Sequence, residues 1–320
     1  MRASTPAPEA QAVLTEIDDA GILPLRQHGP EGARELLRSR RGPITGPSVG
    51  SIETRSIPGY ESRLGDTSPD VPVRIYRPSG AGPFPVVVQL HGGGFVLGDL
   101  DGAEPFCRHL VAASDCVVVS VDYRLAPEHP FPAALEDAIA ATAWAGSQPE
   151  VLDGDGQLAV LGDSAGGSLA AAVCLAARDR AGPTIDHQVL IYPAVEPDSS
   201  RESMQQLQDG YYLEAADMAW YAACYFGSDL HDSSQYAFPL TARSHADLPA
   251  ATVLTAGFDP LRDEGVAYIE RLRAGAVSVT HEHYPAMIHG FATMLSPPAA
   301  LERAQAALGT IGEQLREAFD

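Results

Sequence analysis

The chain has 320 residues, of which 45% are hydrophobic, so it is long enough for one large α/β domain with a smaller addition. Its formal net charge of -21 argues against nucleic acid and anionic membrane as partners, and every positive side chain is Arg, because Lys is absent. Four cysteines without metal or redox spacing, and a sequence without a signal-peptide core or a membrane-length apolar run, predict a cytoplasmic protein.

The first 46 residues alternate Pro and Gly with short helical stretches, and we assign them to an N-terminal cap segment. Helices are predicted over Ala10–Ala20 and Glu31–Arg40. The second carries most of a local basic patch, which we interpret as a solvated face. The patch comprises Arg34, Arg38, Arg40 and Arg41.

Strand and helix patterns alternate through most of the remaining chain, which predicts a mostly parallel sheet covered on both faces. The predicted strands are Ser51–Ile57, Val71–Arg77, Pro85–Leu90, Cys116–Val121, the apolar run at Leu158–Leu161, His187–Tyr192, Ala251–Ala256 and Val277–His283. The predicted helices are Ala103–Ala113, Ala133–Trp144, Leu169–Arg180, Arg262–Arg273 and Ala299–Ala318. The first two strands are expected to be antiparallel because a short connection joins them.

This alternation stops after Pro193, and residues 196–246 are first polar and then rich in aromatic residues. We predict an inserted helical segment that meets the N-terminal helices as a small cap over the carboxyl edge of the sheet. Residues 47–195 and 247–320 then form the main α/β domain. Six aromatic residues lie close together in this insertion: Tyr211, Tyr212, Trp220, Tyr221, Tyr225 and Phe226. Which of them line a pocket is left open.

The stretch LAVLGDSAGGS at Leu158–Ser168 contains a G-x-S-x-G motif between a buried strand pattern and a helix pattern. That context is what a nucleophile elbow requires. The turn at Ser164 is tight, so the positions two before and two after it must lack bulk, which Gly162 and Gly166 satisfy. The alternative is a chance G-x-S-x-G, but the two flanking patterns favour the elbow.

A serine nucleophile needs a base, and the base needs an orienting group. In the elbow-type hydrolases these follow in the order acid and then His. Asp259 and His289 each follow a predicted strand, so both are expected at the same sheet edge as Ser164. The sequence therefore predicts a Ser164–His289–Asp259 triad.

Other polar residues near these positions have simpler interpretations. Asp263 and Glu264 fall in the following helix and are expected to point away, as an N-terminal charge pair. Asp163 suits structural hydrogen bonding in the turn. His281 and His283 share one strand face, which could be half a metal site, but no further ligands complete it. We expect a partly exposed strand face and no metal.

The run Gly92-Gly93-Gly94 follows the third predicted strand, where an oxyanion loop of the HGGG type is found. Glycine lets backbone N–H groups approach a substrate oxygen closely, and the N–H of Ala165 would complete the oxyanion hole. A flexible hairpin is the alternative, and the position after a buried strand argues against it.

Five ordered motifs give this sequence a specific resemblance to a known family. They are HGGGF at His91–Phe95, DYRLAPEHPFPA at Asp122–Ala133, GDSAGG at Gly162–Gly167, DPLRDEG at Asp259–Gly265 and HGF at His289–Phe291. Over about residues 70–295 the chain resembles the hormone-sensitive-lipase-like esterases, bacterial family IV of the α/β-hydrolase superfamily. Its Asp163 matches the GDSAGG subgroup.

The resemblance implies an α/β-hydrolase fold with a small helical cap built from the N-terminal segment and an insertion after the sixth strand. It implies Ser164 as nucleophile, Asp259 as acid and His289 as base. It also implies oxyanion donors, which are Gly93, Gly94 and Ala165. Ala286 departs from the family pattern, since a Gly often stands there.

We therefore predict a serine carboxylesterase that hydrolyses short-chain acyl esters through an acyl-enzyme, without metal or cofactor. Its expected partner is a small-molecule ester, with no nucleic acid and no stable membrane association, and a homodimer is compatible with the sequence. The same residues could hydrolyse amides or transfer the acyl group to another acceptor. A pure binding module, as in plant hormone receptors that resemble this family, is disfavoured because those lack the catalytic His and His289 is present here.

Overall fold

The computed structural model describes residues 1–21, 23–62, 65–196, 200–227, 234–297 and 299–320. In these ranges eight strands form a single sheet: β1 Ser51–Ile57, β2 Val71–Arg77, β3 Phe84–Leu90, β4 Val117–Val121, β5 Gly154–Asp163, β6 His187–Ile191, β7 Ala250–Phe258 and β8 Val279–Ile288. The helices within the predicted main domain are α3 Leu100–Ser114, α4 Ala133–Ser147, α5 Pro149–Leu152, α6 Ala165–Arg180, α9 Arg262–Ala274 and α10 Glu302–Phe319. The remaining helices are α1 Pro8–Asp19, α2 Gly29–Arg40, α7 Glu202–Gln206 and α8 Ala215–Phe226.

The strand order in the sheet is β1-β2-β4-β3-β5-β6-β7-β8. All pairs from β4 to β8 are parallel, and β2 is antiparallel to both β1 and β4. The predicted mostly parallel sheet with an antiparallel first pair is therefore confirmed, and the antiparallel β2–β4 pair extends it. This is the strand arrangement of the α/β-hydrolase fold.

Both faces of the sheet are buried because its central strands are apolar on both sides. In β3, Val86 and Val88 pack into one core cluster, with side chains of α4 and α6. Val87 packs into the other cluster, with side chains of α3 and α10. This alternation follows from the two-residue period of a strand. The carboxyl ends of the parallel strands are consequently held rigidly at one edge.

Helical segments from two distant parts of the chain meet near that edge. Arg26, in a 3-10 turn at Leu25–His28, forms ion pairs with Glu214 at 3.0 Å and Asp217 at 2.8 Å, at the start of α8. The helix α1 instead contributes Val13 to the core cluster that contains the buried side chains of α10. Residues 197–199 and 228–233 of the predicted insertion lie outside the described residues, and the division into cap and main domain stays a prediction.

No helix of the described ranges combines the length and the apolar composition that crossing a membrane requires.

Candidate active site

Ser164 lies in the turn that joins β5 to α6. Its backbone has φ 54° and ψ -118°, a strained conformation for a residue with a side chain. The glycines on either side make this turn fit, because a Cβ at Gly162 would overlap the carbonyl group of Gly166. A Cβ at Gly166 would in turn overlap the carbonyl oxygen of Leu90. The turn therefore has the elbow geometry expected from the sequence.

The side chains of Ser164, His289 and Asp259 are joined in series. His289 Nδ1 lies 2.9 Å from Asp259 Oδ2, and His289 Nε2 lies 2.9 Å from Ser164 Oγ. A carboxylate only accepts hydrogen bonds, so Nδ1 donates to Asp259 and Nε2 accepts from the Ser164 hydroxyl. The structure thus brings together the three residues that the sequence singled out.

The carboxylate of Asp259 is fully buried and fixed by a second contact. Its Oδ1 accepts a hydrogen bond from the N–H of Leu261 at 2.8 Å, which leaves Oδ2 for the imidazole. His289 is itself only 5% exposed, and the centroid of the Tyr192 ring lies 4.6 Å from that of its imidazole. The histidine is therefore oriented by a carboxylate and restrained by packing, while its Nε2 side faces the nucleophile.

The loop after β3 has a conformation that depends on glycine. Gly93 has φ 121° and Gly94 has φ 60°, in the region where other residues are strained. A Cβ at Gly94 would also overlap the ring of Tyr221. Neither the N–H of Gly93 nor that of Gly94 donates to another described residue. Both glycines line the same cavity as Ser164.

A buried carboxylate holds this loop against the elbow. Asp163 Oδ1 accepts a hydrogen bond from the N–H of Gly92 at 2.9 Å, as the structural interpretation of Asp163 expected. Burial raises the pKa of Asp163 to about 6. Ala165 is the first residue of α6, where backbone N–H groups lack partners within the helix. The candidate oxyanion donors therefore flank Ser164 on two sides.

Two cavities meet at Ser164. The first, of about 470 Å³, contains His289, Gly93, Tyr212 and several arginines in its lining. The second, of about 440 Å³, does not contain His289 and is mainly apolar. Its apolar lining includes Ala165, Met204, Met218, Phe226, Phe238 and Leu261.

Residues 87–293 match the sequence model of a protein family whose description is the alpha/beta hydrolase fold. This chain is an α/β hydrolase. It belongs to the hormone-sensitive-lipase-like branch, bacterial family IV, that its motifs resemble. The match spans the elbow, the glycine loop and the loops that carry Asp259 and His289.

Several related proteins that match most of this hydrolase are named as esterases or ester hydrolases. It is 39% identical to Esterase LipI of Mycobacterium tuberculosis over 292 residues, 89% of this chain and 88% of that protein. It is 37% identical to an ethyl acetate hydrolase of Pseudomonas putida over 254 residues, 77% of this chain and 78% of that protein. The solved ester-hydrolase EH1AB1 from the metagenome of Lake Arreo superposes with a TM-score of 0.91 at 36% identity, covering 98% of this chain and 99% of that one. The hydrolase is accordingly an enzyme of the carboxylic ester hydrolase class.

Of the six clustered aromatic residues predicted in the insertion, three line these cavities. Tyr212 and Tyr221 line the first, and Tyr221 together with Phe226 lines the second. The others pack elsewhere, since Tyr225 stacks on Phe95 with ring centroids 3.8 Å apart. Tyr211 packs on Phe258 and Trp220 lies against Tyr221. The sequence could not separate these two groups, because all six are large aromatics close together.

Asp263 and Glu264 were expected to point away from the site as an N-terminal charge pair of the following helix, and the structure differs for Glu264. Neither residue contacts His289, but Glu264 is buried and lines the second cavity. Asp263 accepts a hydrogen bond from the N–H of Ser203 at 2.8 Å. Sequence reasoning missed this role of Glu264. The helical spacing of Gly265, Tyr268 and Ile269 could have revealed it, because these residues mark the buried side of α9, on which Glu264 also lies.

The two strand histidines form a small hydrogen-bonded group. Thr255 Oγ1 lies 2.8 Å from His281 Nε2 and 2.9 Å from His283 Nδ1. Both rings are partly exposed, as predicted. Among the residues that the structure describes, no group of three metal-binding side chains occurs.

Proposed function

We propose that this hydrolase cleaves short-chain acyl esters through an acyl-enzyme on Ser164, with His289 as base and Asp259 as the orienting acid. The observation that carries the proposal is the pair of 2.9 Å contacts that join the three side chains in series. No other described hydroxyl has this combination of an imidazole partner and a strained elbow turn.

Acylation begins when Ser164 Oγ attacks the ester carbonyl carbon and its proton moves to His289 Nε2. The carbonyl electron pair moves to the oxygen, and Asp259 stabilises the imidazolium that forms. When the oxyanion collapses, the bond to the alcohol oxygen breaks and Nε2 returns its proton to that oxygen. Water then attacks the acyl-enzyme by the same route, which releases the acid and restores Ser164.

The backbone N–H groups of Gly93, Gly94 and Ala165 are the proposed oxyanion donors. The free N–H groups and left-handed conformations of the glycine loop support this assignment. Such preorganised donors stabilise charge that develops only in the transition state, and one donor is worth about 10²–10³ in kcat.

The cavities suggest how the two halves of an ester are arranged. His289 must give its proton to the leaving alcohol, so the alcohol lies on the His289 side, in the first cavity. The acyl chain then occupies the second, mainly apolar cavity, where the rings of Phe226 and Phe238 form part of the wall. These bulky rings shorten the space along the acyl chain, which supports a preference for short acyl chains. The name of the Pseudomonas putida relative, ethyl acetate hydrolase, agrees with a small ester.

We further propose a small-molecule ester as the partner of this enzyme. The net charge of -21 opposes binding to nucleic acid and to anionic membrane surfaces.

The proposal is tested by rapid mixing with 4-nitrophenyl acetate. We expect a burst of about one 4-nitrophenol per chain when acylation outpaces deacylation, and one acetyl group on the Ser164 peptide by mass spectrometry. Ser164→Ala should lose both signals and about 10⁴–10⁶ in kcat. Ser147→Ala, an exposed serine at the end of α4, is the matched control and should keep them. An acetylated peptide elsewhere in the chain would refute the assignment.

A further inference from the structure

The first cavity has a charge opposite to that of the chain as a whole. Its charged lining, besides two histidines, consists of Arg34, Arg38, Arg40, Arg41, Asp99 and Asp163. Arginine therefore outnumbers carboxylate here, in a chain whose net charge is -21. The solvated basic patch expected from the sequence is thus part of the wall of the active-site cavity.

Two of these arginines are neutralised by neighbours. Arg34 pairs with Glu128 at 2.7 Å, and its guanidinium also donates to the carbonyl oxygens of Val96 and Ala126. Arg41 pairs with Asp99 at 2.6 Å. These two side chains hold the segment around α2 against the loops that follow β3 and β4.

Arg38 and Arg40 differ, because neither guanidinium makes a hydrogen bond or ion pair with a residue that the structure describes. Both are exposed, which places them at the mouth of the cavity. The acidic residues of the same helix, Glu31 and Glu35, do not line the cavity. Two guanidinium groups therefore face the entrance without a carboxylate of their own.

We propose that the preferred esters carry a negatively charged group, such as a carboxylate, on the alcohol half, and that Arg38 and Arg40 bind it. The inference rests on the proposed function, because the alcohol half lies in the first cavity only if His289 protonates it. A guanidinium matches a carboxylate with two parallel hydrogen bonds, and a cleft of one charge concentrates ions of the opposite charge. The rest of this acidic surface repels anions, so the arginines supply the attraction where the ester enters.

The test compares two acetyl esters of similar size, 3-acetoxybenzoate and its neutral analogue 3-acetoxybenzamide. For each enzyme variant, kcat/KM of the anion is divided by kcat/KM of the amide, after both are corrected for hydrolysis by hydroxide alone. Arg38→Gln and Arg40→Gln should each lower this ratio about two- to fivefold, as expected for exposed charge pairs. Added salt should lower the wild-type ratio and leave the double variant nearly unchanged.

Arg243→Gln is the matched control, since Arg243 is exposed and lines neither cavity. It removes the same charge and should leave the ratio unchanged. If the amide ester is turned over with a burst but the double variant keeps the wild-type ratio, the charge inference is wrong and the proposed function stands. An equal loss with both esters would also overturn it, because a purely structural role lowers both rates alike. If neither ester gives an acyl-enzyme, the proposed function itself fails.

Discussion

The buried carboxylate of Glu264 accepts a hydrogen bond from the backbone N–H of Val195 at 2.6 Å, and a longer one from Glu196 at 3.3 Å. Val195 and Glu196 are where the chain leaves the sheet after β6 and enters the insertion. Glu264 follows Asp259 by five residues in the motif DPLRDEG. One short segment thus supplies the candidate triad acid and anchors the start of the insertion.

We expect Glu264→Ala to lower the free energy of unfolding by about 1–3 kcal/mol, since it leaves buried N–H groups without an acceptor. Glu264→Gln should lose much less, because its amide oxygen can still accept from Val195. Burial raises the pKa of the Glu264 carboxyl well above its usual range, which favours an uncharged side chain here. Urea unfolding at pH 7 measures both variants, and equal losses would show that the hydrogen bonds contribute little.

The choice of Asp259 over Asp263 as the triad acid gives a kinetic prediction. Asp259→Asn should lower kcat about 10⁴-fold, by analogy with serine proteases, where the amide favours the wrong imidazole tautomer. Asp263→Asn is the matched control, because Asp263 contacts Ser203 and Arg262 but not His289. It should change kcat by less than about tenfold. Steady-state kinetics on one ester rank the two, and the reverse order would reassign the acid.

The elbow glycines give a prediction of stability rather than of chemistry. Gly166→Ala should abolish folding or severely destabilise the protein, because the new Cβ would overlap the carbonyl oxygen of Leu90. Gly309→Ala, within α10, meets no atom within 4 Å and should stabilise the protein by about 1 kcal/mol. Thermal unfolding of the two variants checks the contrast. A well-folded Gly166→Ala enzyme with normal activity would contradict the close packing at the elbow.

The sequence predicted the sheet and the residues that meet at its edge because both depend on local patterns. Most strands are short apolar runs, and Ser164, Asp259 and His289 each lie within six residues of the end of a predicted strand. The prediction of where β8 ends was less accurate, because the predicted strand stops at His283 whereas the observed one continues to Ile288. Pro285 and Ala286, which are poor strand formers, interrupt the pattern after Tyr284, and tertiary pairing with β7 keeps this segment extended.

A different physical reason explains why the contacts of the insertion could not be predicted. Glu264 and Val195 are 69 positions apart, and no periodicity connects them. Likewise Arg38 sits on an exposed helix face, where the pattern is the same whether the face meets water or borders a cavity. Only the folded arrangement of α2 against the glycine loop distinguishes those two cases.

Asp163 gives a prediction about pH. An Asp with a folded-state pKa of about 6 binds more protons when folded than when unfolded between about pH 4 and 6. Its contribution to the free energy of unfolding therefore falls as pH rises through that window, by about 3 kcal/mol. Asp163→Asn removes this titration but keeps an oxygen that can accept from Gly92.

The stability of Asp163→Asn relative to the wild type should thus rise between pH 4 and 6 and stay constant above. Urea unfolding of both proteins at several pH values gives this difference, in which the other titrating groups cancel. A difference that is flat from pH 4 to 8 would mean that Asp163 ionises normally.

Acyl-chain preference depends on the side chains that line the second cavity. We expect kcat/KM on 4-nitrophenyl esters to peak between acetyl and hexanoyl and to fall steeply by dodecanoyl. Each buried methylene contributes about 0.8 kcal/mol, so a few carbons that find no room reverse the preference. Phe226→Ala removes a ring from the cavity wall and should move the optimum to longer chains.

Trp220→Ala is the matched control, since Trp220 packs on Tyr221 and lines neither cavity, and it should leave the optimum unchanged. Rates are measured from two to sixteen carbons, each below the solubility limit of the ester. A wild-type maximum at palmitoyl, or an equal shift in both variants, would show that the second cavity does not hold the acyl chain.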